Sequence, residues 1–191
     1  MRVRVWDRPV RLLHWTLAAA IALAWLTAEG NVSWHERLGY VALAAVALRI
    51  VWGFAGSVHA RFSDFVRSPR ETLAYARRVL NGTEERHLGH NPLGGWMALA
   101  LWLLAALTCV TGWLYTTDSF FGEAWLDKLH EALAWAIVVA VALHLAGVFF
   151  TSWRHRENLV LAMLTGRKRL AADANGPMNK APESPAESPL P

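Results

Sequence analysis

Four stretches of this chain are long and apolar enough to cross a lipid bilayer. A spanning helix needs about 20 mostly apolar residues. The stretches fall at about residues 12–28, 35–56, 92–116 and 130–153. Residues 12–28, 92–116 and 132–153 carry no Asp, Glu, Lys or Arg, and residues 38–60 carry only Arg49. No segment alternates polar and apolar residues as a membrane barrel strand would. The fold class is therefore an all-α integral membrane protein, a bundle of four transmembrane helices. Apolar residues make up 54% of the chain and charged residues 18%, which excludes a disordered polymer.

The arginines orient the bundle. Arg2, Arg4, Arg8 and Arg11 precede the first span. Arg61, Arg67, Arg70, Arg77, Arg78 and Arg86 lie between the second and third, and six more basic residues follow the fourth. Of 19 basic residues, only Arg37, Arg49 and Lys128 lie elsewhere. The positive-inside rule then places both termini and the middle loop in the cytoplasm of a multi-pass inner (plasma) membrane protein. The net charge of +4 does not imply nucleic acid, because the basic residues sit between apolar blocks. Within the middle loop, Ser68 to Leu80 reads as an amphipathic helix on the inner surface. Ser68 is its cap, Pro69 lies in its first turn and Glu71 follows. Residues 1–170 form the membrane domain. Residues 171–191, rich in Ala, Pro, Ser and Glu, read as a disordered cytoplasmic tail. The arginine-rich N-terminus reads as the start of a retained helix, since no A-x-A-like site closes the stretch cleanly and further spans follow. Cys109 stands alone, so no intramolecular disulfide forms, and no CxxCH exists for covalent heme.

Histidines carry the chemistry. An ionisable residue at membrane depth is a functional hypothesis by default. His130 and His144 are 14 residues apart, about 21 Å along a helix and about 40° short of four whole turns, so they share one face at opposite depths. Span one runs outward from His14 and span two inward from His35. His14 thus lies level with His144 near the inner surface, and His35 with His130 near the outer. Two pairs at two depths, each drawn from two helices, are what two bis-histidine hemes require. Heme iron accepts two axial imidazoles, and closing both positions favours electron transfer over oxygen chemistry. Two histidines about 21 Å apart on one helix cannot share one zinc ion. Arg49, 14 residues after His35, lies on the same helix face at the inner level. It has two readings, a partner for a heme propionate or a side chain that snorkels to the interface. His59, His87 and His155 lie in or beside loops and read as solvated.

These residues come with a set of local motifs: VWDRPVRLLHW (Val5 to Trp15), the HxxxG of His35 to Gly39, RIVWGFAG (Arg49 to Gly56), ARFSDF (Ala60 to Phe65), GHNPLGGWM (Gly89 to Met97), HEAL before His144 and a closing ENLVLAMLTGRKR. In them the chain resembles the bacterial cytochrome b561 and nickel-hydrogenase b-type cytochrome family, which also takes in the membrane subunits of formate dehydrogenases. The resemblance implies a four-helix cytochrome with two b hemes, with His14, His35, His130 and His144 as axial ligands. Such a protein exchanges electrons between membrane quinone or quinol and a redox partner, as in respiratory electron transport. The partner would be a periplasmic cytochrome c or a dehydrogenase or hydrogenase subunit. The chain is then an electron carrier or an oxidoreductase's membrane subunit rather than a stand-alone enzyme. The resemblance also makes His90 and Asn91 a candidate quinone-side or inner-heme element. The same residues read as a helix start, with a GHNP cap and Pro92 in the first turn. The alternative from another class is a heme-free membrane anchor, or a metal permease. A permease wants its histidines converging on a midplane site, whereas these segregate to two levels.

Overall fold

Capping residues set where the helices begin. Asp7 Oδ1 accepts the Val10 amide at 2.8 Å, and Pro9 occupies the first turn of α1 (Arg8–Thr27), where no amide partner is needed. Asn31 Oδ1 accepts the Trp34 amide at 3.1 Å and opens α2 (Val32–Ala55). Asn91 Oδ1 accepts the Gly94 amide at 2.7 Å and, with Pro92, opens α5 (Pro92–Tyr115). The longest helix is α6 (Ala124–Arg154), at 31 residues. The computed structural model describes residues 2–169. Within them the order is β1 (Arg2–Arg4), α1, α2, a short 3-10 turn (Val58–Ala60), α3 (Phe62–Phe65), α4 (Pro69–Leu80), α5, α6, α7 (Leu159–Thr165) and β2 (Arg167–Arg169).

The four long helices are all apolar enough to cross a membrane. Helix α1 packs on α2, α2 on α5 and α5 on α6. Helices α1 and α6 meet instead through large side chains, such as Trp25 and Trp135 with ring centres 5.0 Å apart. The bundle centre is Val46, Ala105 and Ile137, with Leu17, Ile21, Trp102 and Val141 packed round them. Outside it, Leu26, Leu48, Val51, Phe54, Leu103 and Phe149 are exposed. Such a surface suits lipid, not water.

The helices overrun the expected spans. Helix α1 begins at Arg8 rather than near 12, α2 at Val32 rather than 35, and α6 at Ala124 rather than 130. Hydropathy marks the apolar thickness, while caps and polar turns mark the helix ends. The expected loop helix forms as α4, with Ser68 Oγ accepting the Glu71 amide at 3.2 Å. Residues 171–191, expected to be disordered, lie outside the described residues.

One feature was absent from the sequence expectations. The two ends of the described chain pair as an antiparallel ribbon, with Val3 opposite Lys168. Gly166, at φ +77°, ends α7, and its carbonyl accepts the amides of Val5 at 2.9 Å and Trp6 at 3.2 Å. Only glycine takes that backbone conformation without cost. Arg11 donates to the α7 carbonyls of Met163 and Leu164. Val5, Trp6, Val10 and Ala60 form a second core cluster at this strand-bearing end. Gly95 lets α3 sit against α5, since a Cβ there would lie 2.5 Å from the Phe65 carbonyl oxygen.

Asp7 joins three elements at this end. Besides capping α1, its Oδ2 accepts Trp52 Nε1 at 2.9 Å and Ser57 Oγ at 2.6 Å. Burial pushes its carboxyl up, but the bonds from Ser57, Val10 and Trp52 outweigh burial and hold it below the usual value. Asp7→Ala is expected to cost about 1–2 kcal/mol of stability at pH 7. A lowered carboxyl stabilises above its unfolded pKa, so this contribution is present above about pH 4 and fades as pH falls through the folded value. Denaturant unfolding in detergent at pH 7 and pH 3 checks the sign. An equal deficit at both pH values would refute it.

Candidate functional site

The four spanning histidines meet as two pairs. His14 on α1 and His144 on α6 have ring centres 6.5 Å apart. His35 on α2 and His130 on α6 have ring centres 6.0 Å apart. The 14-residue spacing on α6 separates the two levels by about 21 Å. The first level lies toward the strand-bearing end and the second toward the opposite end. All four residues are half-buried.

Backbone carbonyls set the rings of the second pair. His35 Nδ1 donates to the Ala24 carbonyl at 2.9 Å. His130 Nδ1 donates to the Thr108 carbonyl at 3.0 Å, with Thr111 Oγ1 at 3.1 Å. A carbonyl can only accept, so Nδ1 carries the hydrogen in both rings and Nε2 keeps its lone pair. Such a second bond orients a metal-binding imidazole and raises its basicity. Gly112 makes room for the ring, because a Cβ there would lie 3.0 Å from His130 Cε1.

The pair spacing can be tested against one metal held between two rings. With metal–imidazole bonds of about 2.0–2.1 Å, and ring centres about 1.1 Å beyond each nitrogen, the two centres fall about 6.3 Å apart. The observed 6.5 and 6.0 Å bracket that value. Among the described residues no group of three or more His, Cys, Asp and Glu could hold a metal ion. The donor set is thus two imidazoles per level, which suits a planar macrocycle that supplies the remaining ligands itself.

Arg49 is buried inside the fold. It is only 4% exposed, and its Nη2 donates to the Ala60 carbonyl at 3.0 Å. Its Cζ sits 4.7 Å from the Trp102 ring centre and 5.9 Å from that of Phe65. Its Nη1 is buried with no hydrogen-bond partner among the described residues. His90 stands at the same end, between Trp6 at 4.8 Å and Phe65 at 4.9 Å, ring centre to ring centre. Desolvation, then the positive charges of Arg49 and Lys168, push its imidazole down to about 3, so it is neutral. Asn91 serves as the α5 cap, which accounts for its side-chain oxygen.

The sequence reading missed the residues that support the pairs. Thr108 and Thr111, one helical turn apart and followed by Gly112, were the available signal. Lys168, 6% exposed, was also missed. Burial pushes its amine down, opposed by Glu157, with Nζ 3.9 Å from that carboxylate. Of the loop histidines, His59 is half-buried and pairs with Asp64 at 3.1 Å. His87 stacks edge-on against Tyr75 at 5.3 Å.

The sequence model of a family described as prokaryotic cytochrome b561 matches residues 5–166. The chain is similar to proteins named "Probable Ni/Fe-hydrogenase B-type cytochrome subunit" in several bacteria. That of Bradyrhizobium diazoefficiens is 24% identical, over 87% of this chain and 86% of the relative. That of Rhodobacter capsulatus is 27% identical, over 90% and 83%. That of Azotobacter vinelandii is 23% identical, over 90% of each. No solved structure matches the chain.

The carbonyl partners generate a direct expectation for the free rings. In the protein without bound metal, nitrogen NMR should find His35 and His130 as Nδ1–H tautomers with bare Nε2. Nε2–H rings at both positions would remove the argument that Nε2 is presented for coordination.

Proposed function

This chain belongs to the prokaryotic cytochrome b561 family, and from that premise we propose that it carries electrons across the membrane through two bis-histidine hemes. Membership makes it a multi-pass membrane cytochrome of the b type, active in electron transfer. The finer reading assigns His14 and His144 to one heme b and His35 and His130 to the other. The observation that carries it is the spacing of 6.5 and 6.0 Å within pairs at two depths.

The two histidines of each pair would hold a heme b, which would supply a one-electron carrier there. The protein's part is to hold and tune it. His35 and His130 present Nε2 because Ala24 and Thr108 occupy Nδ1. Arg49, enclosed by Trp102 and Phe65, offers Nη1 to a propionate of the heme at the His14–His144 level. The arginine distribution supports placing that level, both termini and the middle loop at the cytoplasmic face of an inner membrane. The quinone pool then exchanges electrons beside the His90–Asn91 corner. The second level faces a redox partner, a hydrogenase or dehydrogenase subunit or a periplasmic cytochrome c. The names of the relatives support the hydrogenase class. The permease alternative needs histidines converging on a midplane site, and the pairs stand at two levels.

Two expectations follow from the pairing and from Arg49. His14→Ala and His144→Ala should each remove the same heme, and His35→Ala and His130→Ala the other, so each variant retains about one heme per chain. Pyridine hemochrome assay and redox titration check this. A His14 and a His130 variant that remove one common heme would break the pairing. Reduction adds negative charge, so a nearby cation favours the reduced form. Arg49→Leu should therefore lower the midpoint potential of the His14–His144 heme by roughly 50–100 mV and leave the other little changed. Arg49→Lys should fall between. Unchanged potentials and heme content in Arg49→Leu would remove the propionate assignment.

A further inference from the structure

Two buried side-chain nitrogens at the strand-bearing end have no hydrogen-bond partner among the described residues, Arg49 Nη1 and His90 Nδ1. Burying a donor unpaired is costly, and more so for a charged one. Both residues pack against Phe65, whose ring centre is 4.9 Å from that of His90 and 5.9 Å from Arg49 Cζ. Trp6 packs the other edge of His90, and Trp102 the other side of Arg49. Aromatic rings thus fix both groups. Arg49 Nη2 is already committed to the Ala60 carbonyl. His14, His144, Arg49 and Lys168 all lie close enough to His90 to act on it electrostatically. Lys168 Nζ lies 5.9 Å from the Trp6 ring centre. The surroundings are cationic, Arg49 Nη1 can only donate, and His90 Nδ1 donates in one of its two neutral tautomers, so the matching ligand is an anion. A carboxylate offers two oxygens to two donors.

We propose that Arg49 Nη1 and His90 Nδ1 form a two-point clamp for a carboxylate of the group bound between His14 and His144. On the reading above, that carboxylate is a heme propionate, and the inference rests on that reading. His90 donates as a neutral group and Arg49 supplies the charge. Lys168, held by the strand pairing and by Glu157, adds positive potential across Trp6. The clamp draws on α2, on the segment before α5 and, through Trp6 and Lys168, on both ends of the described chain. It fixes which way round the heme sits.

A titration with two hemes tests the clamp. The background is His130→Ala, which leaves only the His14–His144 pair. Heme-free protein in detergent is titrated with protoheme and with its dimethyl ester, whose propionates carry no charge. His90→Phe is expected to weaken protoheme binding about tenfold, the worth of one charge-assisted hydrogen bond. It should change binding of the ester less than about twofold, because the ester lacks the acceptor the clamp recognises. His90→Gln, which keeps an N–H donor, should recover most of the protoheme affinity. His90→Leu serves the same comparison if Phe does not fold. Equal losses for both hemes would make His90 a packing residue and overturn the clamp. No loss for either would also overturn it, as would a change confined to quinol oxidation rate. If the His130→Ala background binds no heme at all, the pairing itself has failed, a result visible before His90 is touched.

Discussion

An imidazole at membrane depth has two ring nitrogens, and lipid satisfies neither. At His35 and His130 the backbone meets one need, through the Ala24 and Thr108 carbonyls. The other nitrogen of each ring is left without a backbone partner, and the two ring centres stand 6.0 Å apart. Much of the helix arrangement fits that need. Helix α6 supplies one histidine to each level and is the longest helix. Helices α1 and α2 face it with one histidine each. Gly112 on α5 clears space for the His130 ring. A bundle optimised for apolar packing alone would have filled these positions with leucine.

The strand-bearing end follows a different logic. There the chain leaves its spans and folds back over the His14–His144 level. Asp7, Trp52 and Ser57 bind the start of α1 to the end of α2. Gly166 and the β1–β2 ribbon hold the two ends of the described chain together. Ion pairs of Arg86 with Glu157 at 2.8 Å and Arg154 with Glu84 at 2.9 Å join the middle loop to the end of α6 and the segment after it. This end has the structure of a small soluble core set on a membrane bundle. It encloses cationic and aromatic side chains that the apolar spans could not hold.

The parts legible in the sequence were those governed by local rules. Long apolar runs located the four helices, and Ser68–Pro69 and Asn91–Pro92 predicted the caps seen at α4 and α5. The 14-residue spacings placed His14 level with His144 and His35 level with His130, as the ring distances have it. What stayed hidden depended on distant contacts. Asp127 and Lys128 interrupt the apolar run, so the first turns of α6 did not read as part of the span. Three-residue strands at opposite ends of the chain leave no periodic signal. The burial of Arg49 arises from Phe65, Trp102 and Ala60, none of them predictable from its own neighbours in sequence. Its charge alone left a propionate partner and snorkelling equally open.

Ile137 stands midway along α6, seven residues from His130 and seven from His144. With Val46 and Ala105 it makes an apolar layer between the two levels. An electron can tunnel through such a layer. Under the proposed reading, transfer between the hemes is electrogenic. The levels are about 21 Å apart in a hydrocarbon core of about 30 Å. One charge moved that far works with or against the membrane voltage by about 1.6 kcal/mol per 100 mV. Membrane voltage thus joins the two midpoint potentials in setting which way electrons run.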